Sequence, residues 1–80
     1  MAIKIYSTPS CPYCVMAKKY IEGKGKNVEY IDVSKDTQAA DNMIKASGQY
    51  SVPVIDIDDN IIIGFNRPEI DKFLAKSETN

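Results

Sequence analysis

The first third of the chain changes from a strand pattern to a helix pattern. Residues 2–6 alternate apolar and polar side chains and contain several β-forming residues, which predicts a short strand. Residues 7–10 form a loop, and Pro12 then suits the first turn of a helix, where its missing N–H costs nothing. Cys14, Ala17 and Ile21 recur at helical spacing, with Tyr20 beside them, and Gly23 and Gly25 end the helix.

The middle of the chain predicts a second strand and a second helix. Residues 27–33 are rich in β-forming side chains. Asp36 is an N-cap candidate for the helix that follows, and Gly48 marks its end. We expect Met43 and Ile44 to lie in the core. The full apolar stripe of this helix consists of Ala40, Met43, Ile44 and Ser47.

The last third predicts a hairpin followed by a helix. Residues 54–57 and 61–63 are strands joined by a tight turn over residues 58–60, so they should pair as antiparallel neighbours. Asn66 caps the last helix, with Glu69 at capping-box spacing. Its inner face consists of Ile70, Phe73 and Leu74, and residues 77–80 form a polar, frayed tail.

This element order, βαβ, then α, then ββα, defines the fold class. The first βαβ unit needs a right-handed crossover and therefore parallel strands, whereas the hairpin strands are antiparallel. We predict an α/β protein with a four-stranded mixed sheet flanked by three helices. Eighty residues make a single domain, 1–80, that buries only about 60% of its unfolded surface. A working site must therefore lie on the rim of one small core.

Composition excludes several partners. The 10 basic and 11 acidic residues give a net charge of −1, so bulk charge favours neither nucleic acid nor an anionic membrane. No apolar run, including residues 61–63, approaches the roughly 20 residues that span a bilayer. The N-terminus lacks a basic region followed by a long apolar run. We expect a cytoplasmic monomer.

The most informative segment is Cys11-Pro12-Tyr13-Cys14, in a chain with two cysteines and no histidine. Structural disulfides are rare in the cytosol, so a close cysteine pair there indicates redox chemistry or metal binding. The pair opens a predicted helix, where free N–H groups and the helix dipole favour a negative sulfur. The thiolate is the form that attacks disulfides. Cys11 is the candidate nucleophile, and Cys14 is the candidate resolving thiol.

Three other interpretations of the pair remain open. A structural zinc site takes four ligands, so two cysteines would need a dimer or carboxylates to complete it. The pair could also be an inert part of the core. Two subunits could share an iron–sulfur cluster through their Cys11 thiolates. The strand–loop–helix context favours redox chemistry, and we predict no metal site.

Pro53 begins the third strand and has two interpretations. A cis Val52–Pro53 bond would turn the Val52 backbone toward the cysteine loop, where its N–H and C=O could pair with an extended thiol-bearing peptide. A trans proline would simply open an edge strand. The residues alone do not decide between them.

Taken together, these segments resemble the glutaredoxin family. The resemblance rests on Cys11-Pro12-Tyr13-Cys14, on residues 47–53 ending in Val52-Pro53, and on Gly64. It runs from the first strand to the last helix and implies the thioredoxin fold, with a cis bond at Pro53. It also implies a thiol–disulfide oxidoreductase with no permanently bound cofactor and with glutathione as reductant and cosubstrate. Its partners would be disulfide-containing or glutathionylated proteins.

The resemblance further implies a glutathione groove. Tyr13 would line it beside Cys11, and the Val52 backbone would hold the cysteinyl part. Gln49 would lie near the glycyl carboxylate. The γ-glutamyl end would lie at the start of the last helix, which is also a physically sound anion site. The implied substrate-binding set is Tyr13, Gln49, Val52, Pro53, Gly64, Phe65, Asn66 and Arg67.

Two features depart from the glutaredoxin pattern. Thr8 stands where many glutaredoxins carry a lysine, three residues before the first cysteine. The segment Gly64-Phe65-Asn66-Arg67-Pro68 looks more like redoxins that donate electrons to ribonucleotide reductase and are recharged by thioredoxin reductase. The sequence therefore predicts thiol–disulfide exchange and leaves a redoxin as the alternative to a glutathione-dependent enzyme.

Overall fold

The computed structural model describes residues 3–48 and 52–78, and the secondary structure in these ranges follows the predicted order. The elements are β1 (Ile3–Ser7), α1 (Pro12–Glu22), β2 (Glu29–Asp32), α2 (Thr37–Ser47), β3 (Val54–Ile57), β4 (Asn60–Ile63) and α3 (Arg67–Glu78).

The four strands form one mixed sheet in the order β2-β1-β3-β4. β1 and β2 are parallel, while β1–β3 and β3–β4 are antiparallel. This confirms the parallel pairing of the first βαβ unit and the antiparallel hairpin at the end. The sheet edges are β2 and β4, so β1 and β3 are the buried central strands.

Helices cover both faces of the sheet because alternate strand residues point to opposite sides. On one face, Ile5 and Ile55 pack with Ala17 and Ile21 of α1 and with α3. On the other, Tyr6 and Val54 pack with the buried side of α2. The mixed sheet flanked by three helices is confirmed.

Most of the predicted helix boundaries hold. The Asp36 carboxylate accepts a hydrogen bond from the Ala39 N–H at 3.0 Å, as expected of an N-cap. Gly48 ends α2 in the left-handed region at φ 76°, and its N–H donates to the Ile44 carbonyl at 2.7 Å.

Two predictions about helix residues are wrong. Ile44 is 39% exposed rather than in the core, because Ala39, Ala40 and Met43 form the side of α2 that faces the sheet. Residues 77–78 belong to α3 rather than to a frayed tail. Residues 75–78, Ala-Lys-Ser-Glu, contain no glycine or proline that would end the helix earlier.

The strands differ from prediction at their ends. β2 is shorter than residues 27–33, and β1 includes Ser7. The hairpin turn uses two residues rather than three, since Asp58 and Asp59 both have positive φ (49° and 71°) and Asn60 already pairs with Ile57. Two left-handed residues match the right-handed twist of the flanking strands, and aspartate tolerates that conformation better than most side chains.

Candidate functional site

Cys11 is the N-cap of α1. Its backbone is extended (φ −97°, ψ 105°), and its sulfur accepts a hydrogen bond from the Cys14 N–H at 3.3 Å. Pro12 occupies the start of the helix, and the Cys11 N–H donates to the Thr8 carbonyl at 3.2 Å. The sulfur therefore lies where unpaired N–H groups and the positive end of the helix dipole meet.

Cys14 is in a different environment although it lies only one helical turn away. Its side chain is fully buried, and both cysteines are free thiols. Burial raises the pKa of the Cys14 thiol to about 12, and both the hydrogen bond to the Cys11 sulfur and the negative charge there add to the rise. Backbone N–H groups of Thr8 and Cys14 oppose this rise. In the dithiol state, Cys14 therefore keeps its proton.

Three apolar side chains that neighbour the cysteines in sequence are exposed on α1. Tyr13 is 60% exposed, as expected of a ring that faces a partner. Val15 and Met16 are also largely exposed, and our sequence reasoning did not select them. Apolar side chains on the outer side of an otherwise amphipathic helix are the signal that would have found them.

Pro53 lies at the same end of the sheet as the cysteine loop. The Val52–Pro53 bond is cis, as the family resemblance implied. Val54, the next residue, pairs with Tyr6, and β1 ends one residue later and leads into the Cys11 loop. The Pro53 carbonyl accepts a hydrogen bond from the Gly64 N–H at 2.9 Å. The segment before α3 is thereby joined to the start of β3.

The start of α3 carries the remaining predicted groove residues. The Asn66 side-chain oxygen accepts a hydrogen bond from the Glu69 N–H at 3.3 Å, which confirms the predicted cap. Phe65 and Arg67 both contact Tyr20 of α1: the Phe65 ring meets it edge-on at 5.8 Å, and the Arg67 guanidinium lies over it at 5.1 Å. Gln49 lies outside the described residues.

Tyr20 belongs to a polar cluster that our sequence reasoning missed. Its hydroxyl donates to the Asp71 carboxylate at 2.5 Å, and the Lys24 ammonium lies 3.3 Å from the same carboxylate oxygen. Lys24 also lies 4.9 Å from the centre of the Tyr20 ring. The hydrogen bond from Tyr20 and the Lys24 charge lower the pKa of Asp71. These residues join the second half of α1 to the first half of α3.

The described ranges hold neither a cluster of metal-ligating side chains nor a membrane-spanning helix. Residues 3–48 and 52–78 contain no group of three or more histidine, cysteine, aspartate or glutamate side chains arranged to hold a metal ion. In the same ranges, no helix is long and apolar enough to cross a membrane.

Comparison with known proteins places this geometry in a family. The family model described as glutaredoxin matches residues 3–62. A relative from Clostridium pasteurianum, described as an uncharacterized glutaredoxin-like 8.6 kDa protein in a rubredoxin operon, is 50% identical over 76 residues. That match covers 92% of this chain and 99% of the relative.

Two Escherichia coli proteins extend the comparison. Glutaredoxin 3 of strain K12 is 36% identical over 56 residues, which is 70% of this chain and 68% of that protein. The structure of NrdH-redoxin, a glutaredoxin-like protein with a thioredoxin-like activity profile, matches with a TM-score of 0.80 and 30% identity. It covers 90% of this chain and 93% of that chain. The chain therefore belongs to the glutaredoxin family and is a redox protein of the thioredoxin fold.

Proposed function

We propose that the chain reduces disulfides by a dithiol mechanism in which Cys11 is the nucleophile and Cys14 is the resolving thiol. The observation that carries this proposal is the unlike surroundings of the two sulfurs. Cys11 caps the helix, accepts a backbone hydrogen bond and retains 9% exposure, whereas Cys14 is completely buried and keeps its proton. Thiolate is the attacking species in disulfide exchange, so the two thiols act one after the other.

The reaction then has two exchange steps. The Cys11 thiolate attacks one sulfur of the substrate disulfide, a mixed disulfide forms, and the other substrate sulfur leaves as a thiolate that takes a proton from solvent. Cys14 loses its proton to solvent and attacks the Cys11 sulfur, which releases the second substrate thiolate. The substrate gains two electrons, and the protein ends with a Cys11–Cys14 disulfide.

The causes of the raised Cys14 pKa explain why Cys14 reacts after Cys11. In the dithiol state, the Cys11 sulfur accepts a hydrogen bond from Cys14 and, as a thiolate, repels a second negative charge. Once Cys11 forms the mixed disulfide it carries no charge and is a weaker acceptor, so both effects fade. Burial still opposes ionisation, but the pKa of Cys14 falls at the step that requires its thiolate.

We further propose that glutathione restores the dithiol without any permanently bound cofactor. One glutathione thiolate opens the Cys11–Cys14 disulfide and joins Cys11, and a second releases it as oxidised glutathione. The predicted groove would hold its backbone at Val52 and Pro53 and its γ-glutamyl end at the start of α3. Glutaredoxin 3, the 36%-identical relative, supports this candidate.

A second candidate is a redoxin recharged by thioredoxin reductase, serving a reductase such as ribonucleotide reductase. Three observations favour it. Thr8 stands where many glutaredoxins carry lysine, and the segment over residues 64–68 has the redoxin-like pattern. The similar NrdH-redoxin has a thioredoxin-like activity profile.

The two candidates separate in one experiment with two recharging systems. The oxidised protein is mixed with NADPH and either glutathione with glutathione reductase, or thioredoxin reductase alone, and NADPH oxidation is followed with a protein disulfide as final acceptor. Turnover with glutathione supports the first candidate, and turnover only with thioredoxin reductase selects the second. Failure of both systems, with Cys11→Ser as the blank, would contradict the dithiol mechanism itself.

We also propose that the protein works as a single-domain monomer in the cytoplasm. One core cluster draws on β1, α1, β3, β4 and α3, so the first and last thirds of the chain share a core. Sedimentation of the reduced protein tests the monomer, and a concentration-dependent dimer would contradict it.

A further inference from the structure

Tyr20 lies outside the proposed groove, yet its ring contacts two residues of the segment that the groove uses. The Phe65 ring meets it edge-on with a centroid separation of 5.8 Å, and the Arg67 guanidinium carbon lies 5.1 Å from its centre. The same segment is bonded to Pro53 through the Gly64 N–H. Tyr20 is therefore the point at which α1 contacts the residues leading into α3.

The ring of Tyr20 is itself fixed in place. Its hydroxyl donates to Asp71, and Lys24 is paired with the same carboxylate oxygen while lying 4.9 Å from the ring centre. A side chain bonded at its tip and packed along its ring has little rotational freedom left. Phe65 and Arg67 therefore contact a ring whose orientation these bonds favour.

The Tyr20 ring orders the Arg67 side chain without occupying its N–H donors. Arg67 is exposed; within the described residues it contacts the Tyr20 ring and lies near the charge of Asp71. A guanidinium has five N–H donors in a flat fork suited to a carboxylate, and it can rest on an aromatic ring while keeping its charge. Ordering such a side chain in advance lowers the entropy cost of binding.

We propose that Tyr20 is a positioning residue that holds Arg67 ready for a carboxylate on the disulfide substrate. The inference rests on the proposed function, in which the disulfide substrate carries the carboxylates of glutathione. Tyr20 contacts Arg67 and Phe65 rather than the cysteines, so it acts on the substrate through Arg67.

The test compares two substrates that differ in charge. A peptide disulfide-linked to glutathione and the same peptide linked to cysteamine, which has no carboxylate, react with the reduced protein in single turnovers. The wild-type protein should prefer the glutathione adduct. Tyr20→Leu should raise the concentration of that adduct needed for half-saturation by about 3–10-fold, as expected for the loss of one such contact. The rate at saturation should be unchanged. The cysteamine adduct should react as before.

Four more variants separate positioning from packing. Tyr20→Phe keeps the ring under Arg67 but loses the hydroxyl bond to Asp71, so its loss should be smaller than that of Tyr20→Leu. Arg67→Met removes the carboxylate-binding group itself and should lose at least as much as Tyr20→Leu. The double variant should lose no more than Arg67→Met, because Tyr20 acts only through Arg67. Tyr30→Leu is the matched control: Tyr30 is also a half-buried tyrosine with a lysine over its ring, but it lies on the edge strand β2. Besides burial, the charges of Cys14 and Cys11 raise the pKa of Tyr30, so this variant can change the rates with both adducts together. Its substrate preference should remain that of wild type.

The outcomes are distinct. Three results would each overturn the inference. Tyr20→Leu could lose equally with both adducts, or Tyr30→Leu could change the substrate preference as much as Tyr20→Leu does. The losses of Tyr20→Leu and Arg67→Met could also add in the double variant. If Tyr20→Leu does not fold, an NMR measurement on the wild-type protein replaces it. The Arg67 Nε–H proton should show an upfield ring-current shift, and its signal is assigned by its disappearance in Arg67→Met. A signal at the position of a free arginine would then overturn it. Failure of the wild-type protein to react with either adduct would instead contradict the proposed function.

Discussion

The starts of α1 and α2 perform the same structural task with different atoms. At α2, an Asp36 carboxylate oxygen accepts a hydrogen bond from the N–H three residues later at 3.0 Å. At α1, the Cys11 sulfur occupies the same position and accepts from Cys14 at 3.3 Å. A carboxylate is a charged, strong acceptor, whereas sulfur is a weak one. The first helix therefore begins with the poorer cap.

The difference shows which helix start is reserved for chemistry. Around Asp36 the cap stabilises the helix, and the outer side of α2 carries polar residues such as Asp41 and Asn42. Around Cys11 the same N–H groups and dipole act on a reactive sulfur, and the neighbouring outer residues are apolar: Tyr13, Val15 and Met16. The first helix has the weaker cap, and its start holds a thiol at a position where negative charge is favoured.

The largest effect is expected from Cys11→Ser. A hydroxyl is far less acidic and a far weaker nucleophile toward disulfides, so exchange should fall by about a thousandfold or more. Serine is a good N-cap, so the free energy of unfolding should not decrease. Disulfide exchange and urea unfolding measured on the same preparation check both halves. Retained exchange in this variant, with exchange lost in Cys14→Ser, would reverse the assigned roles.

Cys14→Ser should separate two kinds of substrate. Glutathione mixed disulfides need only the first thiol and should still react, whereas protein disulfides that require the resolving step should slow by about a hundredfold. The readout is the ratio of the two rates in the variant compared with wild type. Equal slowing of both substrates would show that Cys14 supports the site rather than resolving the intermediate.

The next expected effect is on the pH dependence of stability in the reduced protein. Folding raises the pKa of Cys14 from its ordinary value of 9.0 to about 12, so between these pH values the folded state holds a proton that the unfolded state has lost. The contribution is fully present below pH 9, and the free energy of unfolding then falls as pH rises. The raised pKa of Tyr30 acts in the same direction at higher pH.

Cys14→Ala is the control for this pH dependence, because it keeps Tyr30 and loses only the thiol. Urea unfolding at about pH 8 and about pH 10 under reducing conditions should show a larger loss of stability in wild type than in the variant. Equal losses would show that the buried thiol is not held protonated.

Local signals explain how much of this structure could be predicted. Asp36, Gly48 and Asn66 were identified as caps because each acts on backbone groups within a few residues of itself. The thiol pair was placed at a helix start for the same reason, through Pro12. The exposure of Ile44 was missed because helical spacing gives the period of an apolar stripe but not its width.

The cluster around Tyr20 was beyond sequence reasoning for a physical reason. Tyr20 and Asp71 are 51 residues apart, and they meet only after α1 and α3 have packed on the same face of the sheet. The same holds for Arg67, which the family resemblance placed in the substrate-binding set without any sign that a tyrosine lies beneath it. Contacts between side chains of distant elements depend on the packed geometry, which residue spacing does not encode.

The smallest predicted effect tests the opening comparison directly. Asp36→Ala removes the strong cap of α2 and should lower the free energy of unfolding by about 1 kcal/mol, while Asp36→Asn, which can accept the same bond, should change it little. Neither variant should alter disulfide exchange, because α2 packs on the opposite face of the sheet from α1. A slower exchange rate in Asp36→Ala at a temperature where it is fully folded would show that the two helix starts are coupled. In that case the cap of α2 would contribute to the thiol site as well as to stability.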